Sequence, residues 1–236
     1  MASEVFTTLE VGTVRIRAGF RSLVPEIVAG GLIEIVFSLE NNGATPFYLA
    51  VGAERSTLRP MFFSLAAFLE TPNVPLADPA EGSLNFGGPA GVVAIEPGTV
   101  YQVRLLLNEF ARLETLPTLL SPGQSDGLRV VCRRSLPLAA QEDEAFQMAS
   151  DAPVIEGTLQ IRVRRDDAAL ETHIVAAADH VRTATVATGE RERALMKLIA
   201  LRNPSTKIHL QSLAQDSDPA TRMLAERGLA GLGDGF

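Results

Sequence analysis

The chain has 236 residues, 46% hydrophobic and 21% charged, a composition that can bury a substantial core and that excludes disordered, fibrous and collagen-like classes. Its 28 acidic residues outnumber its 21 lysines and arginines for a formal charge of -7, which argues against the concentrated cationic stripe that nucleic acid requires. Cys132 is the only cysteine, so neither an internal disulfide nor a multi-cysteine zinc or iron–sulfur site is expected.

The longest apolar run, over residues 60–69, is interrupted by Ser64 and falls far short of the roughly 20 residues that span a bilayer. The opening MASEVFTTLE has neither a basic region nor an apolar one of signal-peptide type, so the expectation is a cytoplasmic protein without membrane association.

Along the first two thirds, short stretches of period-two alternation separated by Gly, Pro and Asn predict antiparallel strands with one buried face. Residues 13–18 alternate Val14 and Ile16 with Arg15 and Arg17, and residues 32–40 place Ile33, Ile35, Phe37 and Leu39 on one side. Asn41, Asn42 and Gly43 then predict a turn tolerant of positive φ. Strands are also expected over 46–51 and 61–68, the second of which has no clean period and also suits a buried helix. Residues 71–91, rich in Pro and Gly, read as a long surface connection. Further strands follow at 91–95 and, after the Glu96-Pro97-Gly98 turn, at 101–107, then at 128–134 and 158–164. Residues 135–152 read as a mobile excursion. Strands without intervening amphipathic helices predict two antiparallel sheets packed face to face, in an immunoglobulin-like sandwich, with a closed barrel as the competitor.

After Arg165 the period changes to that of helices. Leu170, Ile174, Ala178 and Val181 share one face of a helix over 168–181, and further helices are expected over 191–201, 205–214 and 219–232. Ser205 is placed to cap the third and Asp218, before Pro219, the fourth. The whole is therefore expected to be α+β, with a β domain over 1–165 and a helical domain over 166–236.

The text NPSTKIHLQSLAQDSDPATRMLAERGLAGLG resembles a HEAT repeat. Asn203-Pro204 matches its opening turn, Leu210 and Leu213 the apolar positions of its first helix, Asp216 the interhelical turn, and Arg222, Ala225, Leu229 and Leu232 the second helix. RERALMKLIAL resembles the second helix of a preceding unit, whereas Thr221 departs from the usual aliphatic residue. Because one or two such units do not close a core alone, the resemblance implies a tail docked on the sandwich. FSLENNGATPFYLAVG and EPGTVYQVRLLLNEF are similar to intracellular proteinase inhibitors of the BsuPI type and to the β prodomain of deuterolysin metalloproteases, which implies an immunoglobulin-like fold.

Catalytic motifs are not evident. His173 and His180 lie two helical turns apart with no i,i+4 ligand pair, and His209 stands apart, so no metal is expected. No GxSxG elbow, GxxxxGK[ST] loop or GxGxxG fingerprint occurs, and the glycines of 82–91 open no amphipathic helix. Cys132 alternates with Leu128 and Val130 on an apolar face, which predicts a buried thiol turned away from Arg133 and Arg134.

One constellation points outward. Arg15 and Arg17, Arg129 and Arg133, and Arg162 and Arg164 fall on the solvent side of their strands, and an immunoglobulin-like strand order would gather them on one sheet face. Such a face would engage an acidic partner through bidentate pairs; the plainer alternative is a solvated face neutralised by neighbouring Glu residues or covered by the helical tail. The expectation is a non-enzymatic, cofactor-free module that binds another protein, an inhibitor or immunity protein being the concrete version. The alternatives are a hydrolase with a site assembled from loop residues, and a small-molecule binding module using the loops at 71–91.

Overall fold

In a computed structural model of the chain, the described residues are 3–11, 14–52, 59–81, 90–145, 147, 151–185 and 189–233. The strands in chain order are β1 (Glu4–Val11), β2 (Val14–Ser22), β3 (Glu26–Val28), β4 (Glu34–Asn41), β5 (Phe47–Gly52), β6 (Phe63–Leu69), β7 (Val74–Pro75), β8 (Ala90–Ile95), β9 (Val100–Leu106), β10 (Ser125–Ser135), β11 (Leu138–Ala139) and β12 (Val154–Arg164). The helices are α1 (Leu116–Leu119), α2 (Asp167–Thr183), α3 (Glu190–Ala200), α4 (Thr206–Leu213) and α5 (Pro219–Gly233). The fold class is α+β, an antiparallel β-sandwich followed in sequence by a helical part. No helix among the described residues is long and apolar enough to cross a membrane.

Two compact units result: Met1–Pro25, Ile33–Ala111 and Gly127–Arg162 in the first, and Glu26–Leu32, Arg112–Asp126 and Val163–Phe236 in the second. The first holds a four-stranded sheet ordered β1-β2-β4-β9, the run β12-β10-β6-β7, and a three-stranded sheet ordered β11-β5-β8. The alternation read from the sequence explains the layering, because each strand turns its apolar side inward: Ile16, Ala18 and Phe20 from β2, Ile35, Phe37 and Leu39 from β4, Leu65, Ala67 and Leu69 from β6, and Leu159 and Ile161 from β12 are all buried. The sheets meet at the Phe37 ring, which packs edge-on 5.4 Å from Phe63 of β6 and lies 5.2 Å from Phe20 on the neighbouring strand of its own sheet. Gly19 lets β1 approach closely, since a Cβ there would lie 2.0 Å from the Val5 carbonyl oxygen.

Several local expectations change. Residues 63–69 form the strand expected there, and the alternative of a buried helix falls away because Leu65, Ala67 and Leu69 face inward while Ser64 and Ala66 are exposed. Beyond β4 the turn is closed by a side chain instead of by positive φ: the buried Asn41 amide donates to the carbonyls of Thr45 (2.9 Å) and Ile95 (2.8 Å) and its Oδ1 accepts from Gly43 N–H. At Gly98 the turn does use positive φ, at 73°. In the segment read as an excursion after β10, Leu136 and Leu138 are buried and β11 pairs with β5. Within the expected surface connection at 71–91, β7 pairs with β6 and Arg59 forks onto Asp78, while residues 82–89 lie outside the described set.

The second unit packs Leu170, Ile174, Leu195, Leu198, Leu210 and Leu213 into a common core, against which Val28 and Leu32 also lie. These two residues explain why a segment within the strand region belongs with the helices. Beside them, the Ala29 N–H donates to Arg164 O at 2.9 Å. Helix α2 is capped by Asp166, whose Oδ1 accepts from Ala169 N–H. Ser205 makes no capping bond; Asn203 takes the role instead, its Oδ1 accepting from Ser205 N–H and its carbonyl from the Thr206 hydroxyl. The polar pin of this unit is Arg191, which donates to Val181 O and pairs with Asp216 in the turn before α5.

The Asp218 backbone N–H and then Arg191 hold the Asp216 carboxyl below its ordinary pKa. A depressed carboxylate pKa adds stability that is complete above the unfolded value of about 3.9 and is lost as pH falls through the folded value. Thermal melts of the helical circular-dichroism signal should therefore fall in midpoint below about pH 4. Asp216→Asn should lower the midpoint at neutral pH and flatten that acid dependence; an unchanged acid slope in the variant would show that Asp216 does not carry it.

Candidate functional site

The outward surface of β6, β10 and β12 is the most functionally suggestive part of the first unit. Along β12 the burial alternates without a break, leaving Val154, Glu156, Thr158, Gln160 and Arg162 exposed. On β10 the outward positions are Arg129, Val131 and Arg133, which stand opposite Phe68, Ala66 and Ser64 of β6. Small side chains at Ser64, Ala66 and Val131 thus form a low middle between two arginine positions. Arg129 lies over the half-buried Phe68 ring at 4.4 Å and donates to Asn73 Oδ1 at 3.3 Å. Arg133 crosses to β12, its Nε donating to Glu156 Oε2 at 2.7 Å.

The six arginines expected on one face are divided. Arg129, Arg133 and Arg162 share the outward surface of the β12-β10-β6-β7 run, whereas Arg15 and Arg17 lie on β2 in the β1-β2-β4-β9 sheet. The reason is topological: β2 pairs with β1 and β4 and flanks neither β10 nor β12. There Arg15 stands opposite Glu10, and Arg17 lies over the Phe6 ring at 4.3 Å. Arg164 belongs to the second unit and is engaged by Asp166 at 3.1 Å and Glu26 at 3.8 Å.

Arg134 was expected to face away from Cys132 and does the opposite. It continues the inward row of Leu128, Val130 and Cys132 and is fully buried, the largest side chain in the core. Its guanidinium donates to Met61 O (2.9 Å) and Ala50 O (3.4 Å) and lies against the rings of Phe63 (4.3 Å), Phe62 (5.3 Å) and Phe37 (5.9 Å). Backbone carbonyls and aromatic faces thus replace part of the water that a buried cation loses. The same contacts account for Phe62, a bulky residue held at φ 65°, a conformation that costs about 1–3 kcal/mol and persists only where surrounding structure over-determines it.

Above this buried group the surface dips into a concavity of ≈ 550 Å³. Phe62, Phe63 and Ser64 line it from β6 and the turn before it, Arg133 and Ser135 from β10, and Val154 and Glu156 from β12. The inward position of Arg134 behind it was signalled in the sequence, since Arg134 is two residues from Cys132 and so shares its face. Phe62 had no such signal, because nothing local forecasts a left-handed phenylalanine.

Elsewhere chemistry is restrained. Burial pushes the Cys132 thiol up to about 12, so it stays protonated at neutral pH. His173 and His180 are exposed, and His209 Nδ1 lies 3.4 Å from Arg182 Nη2. The described residues contain no cluster of three or more His, Cys, Asp or Glu suited to a metal ion.

Replacing Arg134 with Ala removes a large core side chain and leaves two carbonyls without this donor, so urea denaturation should show a loss of about 3–5 kcal/mol. A loss below about 1 kcal/mol would contradict the packing role.

No known family model matches the chain, and no curated protein matches it by sequence. Among solved structures, it is similar to the CARDB domain of a Pyrococcus furiosus protein in complex with di-metal ions, at 9% identity and TM-score 0.28 over 66% of this chain and 94% of that one. It is also similar to the sporulation control protein Spo0M of Bacillus subtilis, at 10% identity and TM-score 0.33 over 72% of this chain and 56% of that one. A third likeness is to a Listeria innocua β-glucosidase, at 12% identity and TM-score 0.25 over 64% of this chain and 16% of that one. The chain thus spans just over half of Spo0M and a minor part of the glucosidase. At these scores the likenesses carry no argument, and the fold rests on its own strand pairing.

Proposed function

We propose that the chain is a non-catalytic protein–protein interaction module whose outward β6-β10-β12 surface meets a partner that is acidic at the contact. The observation that supports this reading is the arrangement of that surface: Arg129 on Phe68 and Arg133 beside Glu156 stand on either side of Ser64, Ala66 and Val131, with Arg162 on the neighbouring strand. Arginine and aromatic side chains are the types enriched at protein interfaces, and a guanidinium offers a planar fork to a partner carboxylate. The low middle lets a partner approach the sheet closely between them. Arginine already laid on an aromatic ring also loses less side-chain freedom on binding.

An inhibitor or immunity protein remains the concrete version of this reading, motivated by the resemblance of the β region to intracellular proteinase inhibitors. The helical part is read as HEAT-like, supported by Asn203 closing the turn before α4, Asp216 between α4 and α5, and Arg222 donating to Asp216 O at 2.8 Å. The protonated state of the Cys132 thiol supports a module without nucleophilic chemistry at that residue.

Cross-linking in native lysate followed by mass spectrometry would identify partners, and calorimetry with the purified partner would test the face. The double charge reversal Arg129→Glu and Arg162→Glu should weaken binding by about tenfold or more while leaving the melting temperature of the free chain near the original value. Unchanged affinity for every partner would remove this face from the account, and turnover in a hydrolase panel without any recovered partner would contradict the module reading.

A further inference from the structure

We infer that the concavity at the Ser135 end of this face is a docking pocket for a peptide segment that carries a carboxylate side chain beside an apolar one. The inference rests on the interaction-module reading and narrows its partner chemistry. At ≈ 550 Å³ the concavity falls within the roughly 300–1,000 Å³ of sites that enclose small groups.

Three features converge there. Arg133 engages Glu156 through Nε, and both side chains are more than half exposed, at 57% and 53%, so this pair is weak and exchangeable. The terminal guanidinium nitrogens remain the geometry that receives a carboxylate end-on through two parallel bonds. Ser64 stands opposite Arg133 in the strand register, and Ser135 gives its backbone N–H to Phe62 O at 3.0 Å. Neither serine hydroxyl has a hydrogen-bond partner among the described residues, so both are available to a ligand oxygen. Phe62 and the exposed Val154 supply the apolar wall.

Arg133 stands on the rim and Glu156 is the one carboxylate among the lining residues, so a ligand carboxylate enters by exchanging with Glu156 at this guanidinium. The wall is also set in advance. Phe62 is held at φ 65° by its surroundings before any ligand arrives, and preorganisation lowers the entropy lost on binding.

The test is an amide-resolved NMR titration of the full chain with an end-capped hexapeptide centred on Glu-Leu. Its controls are the Lys-Leu analogue and free butyrate, which carries one carboxylate on a short alkyl stem without the peptide. Saturable shifts are expected at Ser64, Arg133 and Ser135 with the Glu-Leu peptide, at least about fivefold weaker with either control. Arg133→Gln should abolish them, and Glu156→Gln should tighten binding by removing the competing carboxylate. Equal shifts with the Glu-Leu and Lys-Leu peptides, shifts mapping elsewhere, or no saturable shift would overturn the pocket. Those outcomes leave the wider face to be judged by its own charge-reversal result, so the two failures are distinguishable.

Discussion

A guanidinium sealed from solvent is the constraint on which the first unit depends most. Arg134 sits at the inward end of β10, and its hydrogen bonds run to Ala50 in β5 and to Met61 in the turn before β6, while its plane lies near Phe37 of β4. One side chain therefore touches all three sheets of the sandwich. Burying a cation in a low-dielectric interior is costly, and the carbonyl dipoles and aromatic faces aimed at Arg134 offset part of that cost. This requirement fixes where β5 and the start of β6 can lie relative to β10.

The outer surface inherits that geometry. Because the Met61 carbonyl and Phe62 ring are both engaged by Arg134, the turn into β6 adopts a left-handed phenylalanine, and that residue becomes one wall of the surface concavity. The strand periodicity then alternates roles along a single strand: Arg133 outward, Arg134 inward. Adjacent identical residues thus do opposite work, one reaching over the surface to Glu156 and the other holding the frame behind it.

Much of the architecture was legible in the residues because period-two and period-3.6 patterns report the buried side directly. The alternation in β12 and the apolar stripe of α2 are instances, and both elements occur where the patterns place them. Non-local facts were not legible. Whether Arg15 joins Arg129 on a face depends on strand order, which side-chain periodicity does not encode. The N-terminal β1 was missed because Val5, Phe6 and Leu9 are only half-buried and do not alternate cleanly with Thr7 and Thr8. Positive charge at Arg134 concealed an inward position that its spacing from Cys132 already implied. Asn41 likewise reads as a turn residue, although its side chain does the closing.

In the helical unit the corresponding organiser is a partly buried ion pair, Arg191 with Asp216, and in the sandwich it is the fully buried Arg134. The most direct measurement of the central claim is the solvent exchange of arginine side-chain N–H protons by NMR in the native protein. The account expects the Arg134 guanidinium protons to exchange far more slowly than those of Arg129 and Arg133 and to carry shifts from the surrounding rings. Fast exchange of Arg134, indistinguishable from that of the surface arginines, would contradict it.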